Sequence, residues 1–342
     1  MVLVYKTLLL INFMEKGDIM KNDYIRFSET SVWSGVKDFY REEGIDAWEY
    51  KVPFYITSNP YIGASYASCI AHFMKEQKEQ FGYDEAEPFY ILELGSGTGK
   101  FSFYTIKKLK ELNEKQLFPG VKFVYVISDF SKKNLAFIRY HKEMQPFIEE
   151  GLVDFCYFDA NKTEELHLII SDKTIGGNKD NRLLNPLILI ANYVFDSLPS
   201  DLFHIGPDGL KAVTFPNDFV LNIEGEGQGE IKLKDCADQC SFETVSLPFY
   251  RQKSFDFVLK EYKKSKVNSA FSFFFPGHAF ACLDRIQACL AEKMFILNAD
   301  KYYHSIKHME MLEDPATVGT HGNVISVMFN AHALGYYAEY VR

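Results

Sequence analysis

The sequence predicts an α/β protein built on a doubly wound, mostly parallel sheet. From 89 to 192, apolar segments with strand character alternate with segments of helical periodicity, which is typical of βαβ units. The strand segments are continuously apolar, as expected where helices cover both faces of a sheet. A glycine-rich turn, "GSGTGK", follows the first of these strands. Together these features predict a buried central sheet with a ligand site at the carboxyl ends of its strands.

We divide the chain into four segments. The first, 1–85, is an N-terminal helical segment whose main helix is predicted from Tyr61 to Gln80. The second, 86–205, is the core, with strands "FYILEL", "KFVYVISD", "VDFCYFD" and "PLILIAN" and with helices "KFSFYTIKKLKEL", "KKNLAFIRYHKEM" and "TEELHLIIS". The third, 206–270, is a small β-rich and helical insertion and a candidate substrate cap. The fourth, 271–342, completes the core sheet with strand "KMFILNA" and ends in the helix "HALGYYAEYVR".

The composition limits the classes of partner. A chain of 342 residues that is 47% hydrophobic and 16% aromatic has apolar material for one large domain or two ordinary ones. Its formal net charge of -9 repels polyanions, so we predict no nucleic-acid partner. The apolar start, "MVLVYKTLLLINF", has no basic flank and is too short to span a bilayer. We therefore predict a cytoplasmic protein with no membrane partner.

Cysteines and histidines do not fall into a metal-binding pattern. Six cysteines are too sparse for a disulfide scaffold in a chain of this length. Cys236 and Cys240 have no second cysteine pair or nearby histidine to complete a zinc site. His304 and His308 are one helical turn apart, but no carboxylate–histidine pattern accompanies them. We predict no metal site.

The glycine-rich turn between the first strand and its helix predicts a bound ligand. Gly95 and Gly97 let a ligand approach the backbone, while Gly99 lets the next helix pack closely on the strand. Lys100 stands where a dinucleotide-binding turn requires a small residue, and Phe101 stands where a P-loop requires serine or threonine. Both of those phosphate sites are therefore disfavoured. A tight turn without a ligand is the other interpretation.

The next two strands also end in acidic residues. Asp129 ends "FVYVISD", where its carboxylate can accept both hydroxyls of a ribose. Asp159 ends the following strand and can accept from an adenine amino group, with Phe130 or Phe158 packing on the ring. A single strand-end aspartate is more often a helix cap. Successive strand ends with such residues favour a nucleoside cofactor.

These motifs carry a resemblance to a known family. The pattern E-x-G-x-G-x-G resembles the first motif of class I S-adenosylmethionine-dependent methyltransferases. The end of the fourth strand and the residues after it, "ANYVFDSLP", resemble the A-N-E-F-F-D-A-L-P segment of the MidA-type family, whose mitochondrial member acts in respiratory complex I assembly as a protein arginine methyltransferase. Weaker similarities lie upstream, in "VPFYITSNP", and downstream, in "HGNVISVMFNAHAL". The resemblance runs from about Val52 to the C-terminus.

The resemblance implies a Rossmann-like class I methyltransferase fold that binds S-adenosyl-L-methionine. A set of strand-end and turn residues is then expected to hold the cofactor. They are Thr57, Ser58, Glu93, Gly95, Ser96, Gly97, Gly99, Asp129, Phe130, Asp159, Ala160 and Asn192. The partner would be a methyl-acceptor substrate, either a protein or a small molecule.

Methyl transfer requires few residues beyond those that align the acceptor. Asp196 lies just past a strand end and can orient an acceptor or bind the cofactor's ammonium, although it can also cap the segment after it. Tyr193 stands where the family has a glutamate, which leaves the acceptor open between protein arginine and a small-molecule carboxylate or hydroxyl. His278 and His332 are candidate bases. A catalytically silent methyltransferase fold that binds a partner protein is the alternative.

Overall fold

The computed structural model describes residues 24–44, 58–221, 228–291, 293–312, 315–321 and 324–341. The apolar N-terminal stretch and Thr57, which the sequence assigned to the cofactor, lie outside these described residues. Within them, no helix has both the length and the apolar character needed to cross a membrane.

The secondary structure alternates through the core and becomes richer in strands after it. The helices in chain order are α1 (Val32–Glu43), α2 (Pro60–Glu76), α3 (Lys100–Glu114), α4 (Lys132–Tyr140), α5 (Gln145–Glu149), α6 (Lys253–Lys264), α7 (Gly277–Ala288), α8 (Ile306–Met311) and α9 (Ala331–Val341). The strands in chain order are β1 (Tyr24–Arg26), β2 (Phe89–Leu94), β3 (Phe123–Asp129), β4 (Val153–Tyr157), β5 (Glu165–His167), β6 (Thr174–Gly176), β7 (Leu187–Asn192), β8 (Asp201–Gly206), β9 (Gly209–Pro216), β10 (Gln228–Lys232), β11 (Ser241–Thr244), β12 (Phe271–Phe275), β13 (Met294–Ala299), β14 (Tyr302–Tyr303), β15 (Thr317–His321), β16 (Val324–Val327) and β17 (Phe329–Asn330).

A five-stranded parallel sheet in the order β13-β7-β2-β3-β4 forms the centre of the molecule. Every residue of β2 is buried, and β7 is buried as far as Ala191. Continuous burial of this kind arises because helices cover both faces, so polar residues have no solvent-facing position in the strand. The predicted parallel sheet is confirmed.

Alternate residues of β2 enter two different apolar cores. Ile91 packs with residues of α2 and α3 on one face of the sheet, and Leu92 packs with residues of α7 on the other. The helices α2 and α3 approach closely at Gly63, where an added Cβ would lie 2.7 Å from the Cβ of Tyr104. The sheet is thus covered by helices on both faces, as the doubly wound architecture predicts.

Among the described residues, the strands outside the central sheet form two larger antiparallel sheets, the antiparallel pair β5-β6 and the parallel pair β14-β17. One has the order β1-β9-β8-β12, with β11 also on β9, and the other has the order β10-β15-β16. The segment 206–270 therefore shares a sheet with strands that precede and follow it. Of the strands after 271, β13 joins the central sheet, while β12, β15 and β16 join the antiparallel ones.

Some predicted elements differ in the structure. The predicted helix "TEELHLIIS" is wrong: this stretch contains β5, which pairs antiparallel with β6. Leu166 and Leu168 are buried while Glu165 and His167 are exposed, and this period of two is that of a strand. The helix predicted from Tyr61 ends at Glu76 and continues as a π-helical turn to Phe81.

Candidate functional site

A cavity lies at the carboxyl ends of the parallel strands. Residues that follow β2, β3, β4 and β7 line one wall, and α1 supplies the other wall. It contains about 1020 Å³ of space, open solvent at its mouth included. Strand ends contribute Gly95, Asp129, Phe130, Phe158, Asp159, Ala160, Asn192 and Tyr193, and α1 contributes Trp33, Val36, Lys37 and Tyr40. The predicted strand-end residues are thus brought together, whereas the contribution of α1 was not predicted.

The glycine-rich turn has a backbone that other residues rarely adopt. Gly95, Gly97 and Gly99 have φ values of 62°, 55° and 74°. At Gly99 an added Cβ would lie 2.8 Å from Cγ1 of Ile138 in α4. The absence of a side chain at Gly99 thus allows close approach of α4, the helix after β3, whereas the sequence predicted that it lets the next helix pack on the strand. The turn brings its backbone to the cavity at Gly95.

Two other residues assigned to the cofactor are engaged inside the protein. Glu93 accepts hydrogen bonds from Ser102 Oγ at 2.6 Å and from Tyr125 OH at 2.8 Å. Burial raises the pKa of Glu93 to about 7. Ser96 donates to the carbonyl oxygen of Ser128 through both its backbone nitrogen and its hydroxyl, at 2.9 and 3.0 Å. Neither Glu93 nor Ser96 is among the residues that line the cavity.

Asp129 is the best-connected polar group of the cavity. Its Oδ2 accepts from the backbone nitrogen of Gly97 at 3.0 Å and from Nδ2 of Asn134 at 3.3 Å. Its Oδ1 accepts from the backbone nitrogen of Ser131 at 2.7 Å. Burial raises the pKa of Asp129, while these donors lower it. The carboxylate is held firmly between the glycine turn and the start of α4.

Asp159 is paired with a residue that the sequence did not indicate. Its Oδ2 lies 2.5 Å from Nζ of Lys37 in α1, and its Oδ1 accepts from the backbone nitrogen of Asn161 at 3.1 Å. Burial raises the pKa of Asp159, but the hydrogen bonds from Lys37 and Asn161 and the positive charge of Lys37 lower it more, so the net pKa is below the ordinary value. The two residues are 122 positions apart, and no local pattern relates them. Asp159 therefore connects the sheet to α1.

The segment after β7 contains a residue with an unfavourable backbone. Tyr193 has a φ of 55°, a region that a residue with a large side chain rarely adopts. Its backbone nitrogen donates to the carbonyl oxygen of Ala299 at 2.8 Å, and Oδ1 of its neighbour Asn192 accepts from Tyr66 OH at 3.3 Å. Such backbone strain persists where the surroundings impose it, and it is common at functional sites.

A second carboxyl accompanies Asp196. Both Asp196 and Asp300 are buried, and burial raises both pKa values, with repulsion from Asp196 raising that of Asp300 further. Nδ2 of Asn298 donates to Oδ2 of Asp300 at 2.5 Å, whereas Oδ1 of Asp300 has no hydrogen-bond partner among the described residues. Asp196 does not itself line the cavity, but Ser197, which does, donates to it at 3.0 Å. Sequence reasoning missed Asp300, which follows β13.

The two predicted histidine bases lie elsewhere. Nδ1 of His278 is 2.7 Å from Oδ1 of Asn161, and Nδ1 of His332 is 3.0 Å from Tyr262 OH. Burial lowers the pKa of both histidines, and neither is among the residues that line the cavity. Ser58 immediately precedes the residue that caps α2 and is also not a lining residue. Within the described part of the chain, no group of three or more His, Cys, Asp or Glu is placed to hold a metal ion.

Comparison with known proteins gives a structural likeness. The sequence matches no protein-family model and no curated protein. A candidate methyl transferase from Burkholderia thailandensis, bound to S-adenosyl-homocysteine, is 15% identical and aligns over 93% of this chain and 72% of its own, with a TM-score of 0.51. An uncharacterised protein of the same superfamily and organism is 15% identical over 93% and 71% of the two chains, with a TM-score of 0.46. The first likeness and the strand order show that the chain has the Rossmann-like fold of class I methyltransferases.

Proposed function

We propose that this protein is an S-adenosylmethionine-dependent methyltransferase. The observation that carries the proposal is the cavity at the strand ends, where the glycine-rich turn, Asp129 and Asn192 meet on a fold shared with a protein bound to S-adenosyl-homocysteine. Bound S-adenosylmethionine would supply an electrophilic methyl group, which a nucleophilic acceptor would take at the methyl carbon while S-adenosyl-homocysteine leaves as the thioether. Similarity to the MidA-type family supports the same activity.

The residues present fit the chemistry of this cofactor. A buried carboxylate at Asp129 suits ribose hydroxyls, and the rings of Phe130 and Phe158 suit an adenine. Asn192 offers an amide to the methionine portion. Asp159 would contact the adenine amino group only by sharing its carboxylate with Lys37 or releasing it. This chain thus contributes acceptors for hydroxyl and amino groups and an apolar surface for a ring.

The acceptor that we favour is a basic nitrogen, which is positively charged in free solution and must lose a proton when it accepts the methyl group. Asp196 and Asp300 interact electrostatically with each other and with Tyr193. Their repulsion favours a proton on Asp300, whose pKa is raised more, and a negative charge on Asp196, which the positive charge of Lys301 stabilises. That charge attracts a guanidinium or ammonium group and repels a carboxylate. We propose that Asp196, buried beside the cavity, supplies the negative charge that Tyr193 lacks, so a protein arginine is a better candidate than a small-molecule carboxylate.

Calorimetry with S-adenosyl-homocysteine tests the cofactor. We expect micromolar or tighter binding to the wild-type protein, with NAD giving no heat. Binding of NAD in its place would refute the proposal.

Turnover is tested with tritiated cofactor and cell lysate. If the cofactor binds but no labelled product forms while a stoichiometric partner protein is recovered, the silent binding module is the correct function.

The acceptor is tested by mass spectrometry after reaction with labelled cofactor, a peptide library and a metabolite extract. We expect base-stable label on a basic nitrogen, and base-labile label on a metabolite carboxylate would contradict the choice. Asp196→Asn, which removes that negative charge, should raise the KM for the acceptor. A cytoplasmic site of action remains a prediction from the N-terminal sequence, which cell fractionation would check.

A further inference from the structure

Lys37 and Asp159 form an ion pair in the wall of the cavity. Nζ of Lys37, in α1, lies 2.5 Å from Oδ2 of Asp159, which follows β4. Both residues line the cavity, and 29% and 10% of their side-chain surfaces are exposed. Phe130 and Phe158, whose rings suit an adenine, line the same cavity. The pair is therefore an accessible polar part of the wall beside the aromatic surface.

The ion pair leaves hydrogen-bonding capacity on both partners. A carboxylate offers about four lone-pair positions. Among the described residues, Asp159 uses two of them, for Nζ of Lys37 and for the backbone nitrogen of Asn161. An ammonium has three N–H groups, and within the described part of the chain that of Lys37 donates to Asp159 alone. Asp159 can thus accept from a ligand, and Lys37 can donate to one, while the pair stays intact.

A donor next to an acceptor is complementary to an edge of adenine. The amino group of adenine donates, and the ring nitrogens on either side of it, N1 and N7, accept. A carboxylate alone satisfies the amino group but leaves the ring nitrogen without a donor. Hydrogen bonds to two neighbouring atoms of a ligand require partners that are themselves close neighbours, as the carboxylate and the ammonium are here.

We propose that Lys37 is a cofactor-binding residue that recognises the adenine together with Asp159. Asp159 accepts from the amino group, and Lys37 donates to a ring nitrogen beside it. The ion pair is then shared with the cofactor and is not released by it, so α1 and the sheet recognise the adenine jointly. This inference rests on the proposed function, because it assigns a residue of the same cavity to the nucleoside portion of the cofactor.

Calorimetry with S-adenosyl-homocysteine and its 1-deaza and 7-deaza analogues tests the assignment, because each analogue lacks one ring nitrogen and keeps the amino group. In the wild type, one analogue should bind about tenfold more weakly than S-adenosyl-homocysteine, as for the loss of one hydrogen bond to a charged group that is partly exposed. Lys37→Met keeps an unbranched side chain and removes the ammonium. It should bind S-adenosyl-homocysteine about tenfold more weakly than the wild type does, and it should bind that analogue with no further loss.

Lys162→Met is the matched control. Lys162 is exposed and lowers the pKa of Asp159 through its positive charge, but it is not among the residues that line the cavity. We expect this variant to bind all three ligands as the wild type does. An equal loss of affinity in both variants would show that only positive charge near Asp159 matters, and it would refute a contact from Lys37.

The outcomes separate this inference from the proposed function. If the wild type does not bind S-adenosyl-homocysteine, the proposed function fails and this inference fails with it. If the wild type binds all three ligands equally well, only the role of Lys37 is refuted, and this result does not depend on the folding of a variant. Tighter binding of S-adenosyl-homocysteine to Lys37→Met would mean that the ammonium competes with the adenine for Asp159, which overturns the inference. Weaker binding with an unchanged loss for the analogue would mean that Lys37 only positions Asp159, which also overturns it.

Discussion

Replacing Gly99 by alanine should destabilise the protein for two separable reasons. Its φ of 74° costs a residue with a Cβ about 1–2 kcal/mol. The new Cβ would also lie 2.8 to 3.1 Å from three carbons of Ile138, and overpacking of this kind costs about 1–3 kcal/mol. The sum is about 2–5 kcal/mol. For 342 residues with an unfolding entropy of about 2.1 cal/mol/K each, the melting temperature should fall by about 3–7 °C.

Gly151→Ala is the matched control for this experiment. Gly151 has a φ of 70°, but nothing lies within 4 Å of its added Cβ, so the variant carries only the backbone cost. Differential scanning calorimetry should show a smaller fall for it, about 1.5–3 °C. Ile138→Ala combined with Gly99→Ala should lower stability by less than the sum of the two single changes, because the collision is absent. Equal melting temperatures for the Gly99 and Gly151 variants would refute the packing argument.

Two further changes test the interior and the strained loop. The pKa of Glu93 rises from 4.5 to about 7 on folding, so the folded form stays protonated to a higher pH than the unfolded chain does. The free energy of unfolding should therefore fall by about 3 kcal/mol as the pH rises from 4.5 to about 7. Urea denaturation of Glu93→Gln should show no such fall, and a wild-type-like slope in the variant would assign the effect elsewhere. Tyr193→Gly should relieve the positive φ and raise stability by about 1 kcal/mol while methyl transfer declines. A melting temperature lowered by several degrees would show instead that the ring contributes packing.

The central sheet was predictable because its signal is local. Each of β2, β3 and β7 is a continuous apolar run followed by a turn, and such a run specifies burial on both faces without reference to distant residues. The segment that contains β5 was predicted wrongly, although its signal was also local. Leu166 and Leu168 alternate with Glu165 and His167, and this period of two was visible in the sequence.

The candidate site was predictable only in part. Gly95, Asp129 and Asn192 were found because strand ends of a parallel sheet meet at one edge. Lys37 could not be found this way, since no spacing rule relates a residue on an N-terminal helix to the turn. Asp300 directly follows β13, a parallel strand of the same sheet, so the strand-end rule applied to the predicted strand "KMFILNA" would have found it. Glu93 belongs to the glycine motif, but its side chain does not line the cavity. It accepts hydrogen bonds from Ser102 in α3 and Tyr125 in β3.

The position of α1 has a consequence for biosynthesis. This helix is made early, yet it packs against residues made much later: Lys37 meets Asp159, and Trp33 shares an apolar core with Val324 of β16. Closing so long a loop is entropically costly until its distant partners exist, so α1 should dock among the last elements. While the chain emerges from the ribosome, the apolar side of α1, with Trp33 and Val36, remains uncovered. A nascent chain in this state presents a surface that chaperones recognise, and slow translation of the C-terminal third would prolong its exposure.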